Sequence, residues 1–232
     1  MTSRPAEVHA SRPQRRVRRS PLLYTAPIVL LLLLTAVLGW EIVRANMTEE
    51  ARTDWPWRLQ LLDMEPLGSL LAVAAAAVLG RAQYARTVRP YLGLRADWAS
   101  GNLRAGADEW RVGLLNGGQH TAVIERYECG VVLAGESTPV AWTDVAGAVD
   151  RLTAAGLTVK EDFQIVSFGR FPLVGTGSYD TLTVASFSRR FVAEVDAFFI
   201  RVRVVDTVGD SHERTMNCLE GARASGYAPP SS

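Results

Sequence analysis

The sequence predicts a membrane α-helical hairpin of two transmembrane helices, followed by a mainly-β sandwich domain with one short helix. Three observations lead there. Residues 20–40 carry no charge. A second apolar stretch, 66–80, is also free of charge. From about residue 90 onward the pattern changes to short runs of alternating apolar and polar residues broken by turn signals, the period of half-buried strands.

The composition is segregated along the chain. Over 232 residues, 25 basic side chains stand against 24 acidic ones, and 48% of the residues are hydrophobic. Residues 1–19 nevertheless hold six arginines (4, 12, 15, 16, 18 and 19) and a single glutamate. Lys160 is the only lysine, which together with abundant Ala, Gly and Val points to a GC-rich genome, such as an actinobacterial one. Arginine keeps its charge and pairs bidentately with phosphate. The segment 1–20 is therefore read as a disordered basic tail whose partner is anionic lipid headgroups, at ~1 kcal/mol per basic residue near the surface. It has no interleaved aromatics and runs straight into an apolar helix, so no nucleic-acid partner is predicted.

The first transmembrane helix is placed at 21–43. Its uncharged run of twenty residues, 21–40, reaches ~30 Å, the thickness of a hydrocarbon core. Tyr24 and Trp40 lie near its ends, where aromatic rings favour the interface. Pro27 falls in the first two turns, where a missing hydrogen bond costs least. A buried soluble helix would need a polar face. A cleaved signal peptide, which Arg18-Arg19 faintly suggests, would need a small-x-small site after Trp40. The sequence provides neither.

The second helix, with its cytoplasmic extension, is placed at 59–89. The charge-free core 66–80 alone spans only ~22 Å. Extension back to Leu59 completes a crossing and places Asp63 and Glu65 in the first two turns, at headgroup depth. Asp54-Trp55-Pro56 reads as the helix entry, leaving 44–58 as a short extracytoplasmic loop. Gly68, Ala72, Ala76 and Gly80 recur every fourth residue and line one face, a candidate contact within the hairpin or between copies in a homo-oligomer. Thr35 and Gly39 offer a smaller counterpart on the first helix.

Arginine placement sets the orientation. Six arginines precede the first helix; Arg44, Arg52 and Arg58 lie in the loop; Arg81, Arg86, Arg89 and Arg95 follow the apolar core of the second span. The positive-inside rule then places a multi-pass protein in the plasma membrane with its N-terminus and C-terminal domain in the cytoplasm.

The β-sandwich domain is placed at 90–220. Pro90 stops the preceding helix. Period-two segments occur at 109–115, 121–133, 162–168, 181–187, 197–206 and 211–219. Phe198, Ile200, Val202 and Val204 are expected inward, with Arg201 and Arg203 outward. Asn116-Gly117 is a strong turn signal between two of these segments. Thr143 is expected to cap a helix at 144–155, stopped by Gly156. Residues 221–232 read as a disordered tail.

The layout resembles uncharacterised actinobacterial two-span membrane proteins with an arginine-rich N-terminal tail and a C-terminal immunoglobulin-like β domain. The residues that carry the resemblance are Arg89-Pro90-Tyr91-Leu92, Leu115-Asn116-Gly117-Gly118 with Ala122-Val123-Ile124, and Val205-Asp206. It implies an architecture and no activity.

Few residues suggest chemistry. Asp206, Asp210 and His212 flank one turn and could bind a metal, although a turn between strands uses Asp and Gly for local reasons. Cys129 and Cys218 fall at inward positions, reduced in a cytoplasmic domain and able to pair in an outward one. A nucleophilic cysteine would need His120 or His212 as its base. Gly117-Gly118 and Gly175-Thr-Gly177 lack the lysine and spacing of a phosphate loop. No catalytic, cofactor or metal residue is assigned. The expected function is a non-enzymatic, membrane-tethered interaction or scaffold module with an unknown protein partner. The alternative is a subunit of a transport or channel assembly using Asp63 and Glu65.

Overall fold

Pro21, with its φ already helical, opens the first helix, α1 (Pro21–Ala45), directly after the extended Ser20. The computed structural model describes residues 11–104, 107–136, 140–175 and 181–224. They fall into two units, one spanning Arg19–Thr87 and the other joining the N-terminal segment up to Arg18 to everything from Val88 onward.

In the helical unit, α1 is followed by one short turn of helix, α2 (Glu49–Thr53), whose Thr48 cap accepts the Ala51 N–H at 3.4 Å. The second long helix is α3 (Met64–Thr87). Both α1 and α3 are long and apolar enough to cross a membrane. They pack through Leu34, Leu67 and Ala74, with Leu31, Val37, Leu38, Leu62 and Leu71 around them. On α3 these contacts recur at i, i+4 and i+7, one face of a helix.

Three expectations for this unit need correction. The second helix starts at Met64, not Leu59. The backbone of 57–61 is bonded elsewhere: Trp40 Nε1 donates to the Leu59 carbonyl (3.0 Å), and Leu61 N–H donates to Glu41 Oε1 (2.7 Å). Asp54-Trp55-Pro56 is a turn with a cis Trp55–Pro56 bond rather than a helix entry. The small-residue stripe does not pack the hairpin. Gly68, Ala72, Ala76 and Gly80 are all exposed, and a Cβ added at Gly68 or Gly80 would meet nothing within 4 Å.

The β unit begins before the helices. β1 (Arg15–Arg18) pairs with β10 (Ser211–Asn217), so the tail expected to be disordered forms an edge strand within its described part. The other strands are β2 (Leu92–Ser100), β3 (Asp108–Asn116), β4 (Ala122–Leu133), β5 (Trp142–Thr143), β6 (Phe163–Ile165), β7 (Pro172–Leu173), β8 (Leu182–Ser188) and β9 (Val195–Val205). One sheet runs β1-β10-β9-β4-β5, with β7 also on β4; the other runs β2-β3-β8-β6. All these pairings are antiparallel.

The two sheets share one core. Val112, Leu114, Val184 and Phe187 of the second sheet meet Ile124, Cys129, Ile200, Val202, Val204 and Met216 of the first. β9 alternates as its sequence predicts, with Phe198, Ile200, Val202 and Val204 fully buried and Arg201 and Arg203 half-buried on the other face. Phe187 and Phe191 stack at 4.3 Å, and Phe198 lies 5.1 Å from Phe187. Among the described residues the β unit carries three short helices rather than the single one expected: α4 (Val145–Ala154), α5 (Arg189–Glu194) and α6 (Glu220–Ala224). The first residues of the predicted C-terminal tail are thus helical, and 225–232 lie outside the described residues.

The cap of α4 is Asp144, whose Oδ1 accepts the Gly147 N–H at 2.9 Å, and not Thr143, which lies in β5. Gly156 then takes a φ of +88° at the stop, as its position after the helix suggests. Asn116 is the last residue of β3 and Gly117 leaves the strand without making a hairpin: β3 and β4 belong to different sheets. The Asn116 side chain explains the crossing. Its Oδ1 accepts Tyr91 N–H (3.2 Å) and Gly118 N–H (2.9 Å), while its Nδ2 donates to the His120 carbonyl (2.8 Å). Gly118 is required by close approach, since a Cβ there would lie 2.7 Å from the Arg89 carbonyl oxygen.

Candidate functional site

The turn 206–212 is built by local hydrogen bonds. Asp206 Oδ1 accepts the backbone N–H groups of Val208 (3.0 Å) and Asp210 (2.9 Å), and Gly209 supplies a φ of +80°. The other oxygen, Oδ2, lies 3.0 Å from His212 Nε2, and both side chains are almost wholly buried. His212 Nδ1 has no hydrogen-bond partner among the described residues. Asp210 faces Arg16 of β1, with its Oδ2 3.2 Å from Nη1. The three candidate ligands therefore do not converge: two face each other and the third meets a guanidinium. Among the described residues no group of three or more His, Cys, Asp or Glu side chains is placed to hold a metal ion.

Beside the turn, Glu213 collects two arginines. Arg15 donates from Nη2 (2.7 Å) and Nε (3.3 Å) to Oε1, and Arg203 from Nη2 (2.7 Å) and Nε (3.1 Å) to Oε2. Burial pushes this carboxyl up, but the hydrogen bonds and charges of Arg15 and Arg203 outweigh it and hold it below its ordinary value. Arg15 and Arg16, assigned from sequence to lipid headgroups, are thus engaged by the β unit. Arg12 and Arg18 remain exposed, and Arg4 lies outside the described residues.

Both cysteines are free and buried. Cys129 sits opposite Ile200, and Ile200 opposite Met216, so a whole strand separates Cys129 from the end of β10 where Cys218 lies. Two strand spacings make ~10 Å, beyond the ~7 Å Cα separation a disulfide spans. The pairing considered for an outward domain is excluded by the register, whichever side the domain occupies. Burial, with the Asp144 and Glu128 charges adding to it, pushes the Cys129 thiol up to about 12; burial raises that of Cys218 well above its ordinary value. Neither histidine can serve as their base. His120 precedes β4 by two residues and His212 is the second residue of β10, at the sheet end near Val205, while Cys129 lies ~30 Å and Cys218 ~20 Å further along these strands.

The glycine stretches are packing devices. A Cβ at Gly175 would lie 2.6 Å from the Gln119 carbonyl carbon, so the 117–121 loop and the chain after β7 pass at van der Waals distance. Gly177 lies outside the described residues. In the helical unit, Asp63 precedes α3 and accepts a hydrogen bond from Gln60, and Glu65 occupies the first turn. Both are exposed.

Two features were not legible beforehand. Glu41, only 5% exposed, accepts the Leu61 N–H while Arg44 (3.3 Å from Glu41) donates from Nε to the Trp57 carbonyl at 2.8 Å; Trp40 and Trp57 stack at 4.8 Å. These bonds clasp the interhelical loop onto the end of α1. The acid directly after an apolar run was its only signal. The second feature is a recess of about 430 Å³ between β2 and β10, floored by Leu94, Ala96, Trp110 and Met216, with Arg214 and Ser11 at its margin. Trp110 Nε1 already donates to the Cys218 carbonyl (2.9 Å), and Arg214 donates from Nη1 to the Leu92 carbonyl. The recess is lined as well by Asn217, Cys218, Glu220 and Gly221, and burial holds the Cys218 thiol well above its ordinary value, in its protonated, unreactive form. No family model, curated protein or solved structure matches the chain.

Proposed function

We propose that this chain is a membrane-anchored protein whose β domain acts as a non-enzymatic interaction or scaffold module. The observation that carries the membrane part is the bare apolar surface of the helical unit. Val29, Leu30, Leu32 and Leu33 on α1, and Leu70, Val73 and Leu79 on α3, are all exposed although the two helices pack together. A surface of that size on a water-soluble unit would need a cover, and lipid tails provide one. The module part rests on the fate of the reactive groups. The Asp206–Asp210–His212 cluster is bonded within its turn and to Arg16, and both thiols are buried, far from His120 and His212.

On this reading α1 and α3 cross the plasma membrane, and the 44–58 loop lies outside. The positive-inside rule places the N-terminal segment and the β domain in the cytoplasm. Exposed Arg12 and Arg18 then meet anionic headgroups. The exposed stripe of Gly68, Ala72, Ala76 and Gly80 is the surface on which a second copy could approach closely. The transport alternative draws no support from Asp63 and Glu65, which lie at the end of α3 rather than mid-helix.

Alkaline carbonate extraction of cell membranes tests the anchor: the chain should stay in the pellet. Affinity capture of the full-length protein from detergent extracts tests the module: a reproducible stoichiometric protein partner is expected. Release by carbonate, or substrate-dependent turnover by the purified protein, would overturn the corresponding half.

A further inference from the structure

We infer that α1 and α3 cross the membrane as an obligate pair, because the segment before α1 is a strand of the same sheet that the chain completes after α3. The inference rests on the membrane reading above, and its ground is independent of charge counting.

The N-terminal segment is bound along its described length. Ser11 Oγ accepts the Asn217 N–H (3.1 Å), and Arg12 N–H donates to the Thr215 carbonyl (2.9 Å). Arg15, Arg16 and Arg18 stand opposite Glu213, His212 and Ser211. Gln14 reaches across to the chain that leaves α3: its Nε2 donates to the Pro90 carbonyl (2.7 Å) and its Oε1 accepts the Leu92 N–H (2.9 Å). Glu213 and Asp210, 4% and 2% exposed, have Arg15 and Arg16 of this segment as ion-pair partners. Without β1 the β10 edge would present open backbone groups.

The links to the helices are short. Only residues 19 and 20 separate β1 from α1, and only 88–91 separate α3 from β2. Two residues span at most ~7 Å and four at most ~14 Å, against a hydrocarbon core of ~30 Å. A chain in which one helix crossed and the other did not would put β1 and β10 on opposite faces of the bilayer, and no link could bring them together. Both helices cross, or neither does. The hairpin is therefore an insertion within the β unit, and the sheet gains its last strand only when both crossings are complete. The positive-inside rule, weak for Arg81, Arg86, Arg89 and Arg95, is not needed to put that side of the chain with the tail.

The test uses the full-length chain in bacterial membranes, with one epitope tag at each terminus. Protease is applied to right-side-out spheroplasts and to inverted vesicles. Both tags should be lost from the same preparation and protected in the other. The same parity should hold for R18Q/R19Q, which weakens the charge signal at α1. In parallel, R15C/E213C places thiols at directly opposed positions of β1 and β10, and oxidation should give a reducible mobility shift within one chain. Tags digested from opposite sides would overturn the inference and the double crossing, and leave the membrane anchor standing. Release of the protein by alkaline carbonate would overturn both. Same-side tags without the intrachain disulfide would overturn the strand pairing as the cause.

Discussion

Gln14 is the place where the N-terminal segment can be pried from the rest with one substitution. Its amide makes two hydrogen bonds, to the Pro90 carbonyl at 2.7 Å and from the Leu92 N–H at 2.9 Å. Both backbone partners belong to buried residues, Leu92 being 1% exposed. Gln14→Ala removes two bonds of ~0.5–1.5 kcal/mol net each and leaves a buried donor and acceptor without a partner. Water reaching the half-buried side-chain site recovers part of that, so the expected cost is about 1–3 kcal/mol. At ~2–4 °C per kcal/mol for a unit of this size, the β unit should unfold about 2–12 °C lower. Thermal unfolding of the full-length protein in detergent reads the global loss. Amide exchange over 88–96 reads the local one and should speed up. Gln14→Leu, which keeps the volume and loses both bonds, should behave like the alanine variant and so separates bonding from packing. Unfolding within about 1 °C of the parent, with exchange over 88–96 unchanged, would refute the docking of the segment and remove the staple on which the paired crossing depends.

Four further outcomes are expected. Glu213 has a lower carboxyl pKa folded than unfolded, so its contribution is complete above the ordinary carboxylate value and is lost as pH falls through the lowered one. Glu213→Gln should therefore flatten the acid limb of a stability–pH profile and cost about 1 kcal/mol at neutral pH, a small figure because Arg15 is 72% exposed and solvent-screened. An unchanged acid limb would show that the arginines do not hold the carboxyl. Gly118→Ala puts a Cβ 2.7 Å from the Arg89 carbonyl and should destabilise by about 1–3 kcal/mol in the same unfolding assay. Cys129 and Cys218, with thiols raised by burial, should resist maleimide at neutral pH until the protein is unfolded by denaturant. Ala76→Leu lies on the exposed face of α3, outside the hairpin contacts, so it should leave the fold intact. A shift in oligomeric state measured in native detergent would then report a contact between copies, and no shift would discard the stripe.

What the amino-acid order determined by itself is what neighbours in the chain can enforce. Twenty uncharged residues make α1, whatever surrounds them. Asp206, Gly209 and Asp210 close their turn with bonds reaching no further than four residues. The alternation of β9 shows in advance which of its side chains the core will take. The helix at 145–154 was readable to within a residue, although its cap is Asp144 and not the threonine before it. The tertiary structure decided everything that depends on partners remote in sequence. β1 has four exposed side chains and no alternation, because an edge strand held by backbone pairing and arginine pairs needs no apolar face. Arg15 and Glu213 are 198 residues apart, and Gln14 and Pro90 are 76 apart. Asn116-Gly117 read locally as a hairpin, yet β3 and β4 lie in different sheets, and the Asn116 amide bonds Tyr91 beside its own sheet and the His120 carbonyl on the way to the other. The start of α3 slipped to Met64 because α1 side chains bond the backbone of 57–61. Local periodicity records which side chains are buried, whereas a hydrogen bond between distant segments leaves no period in either.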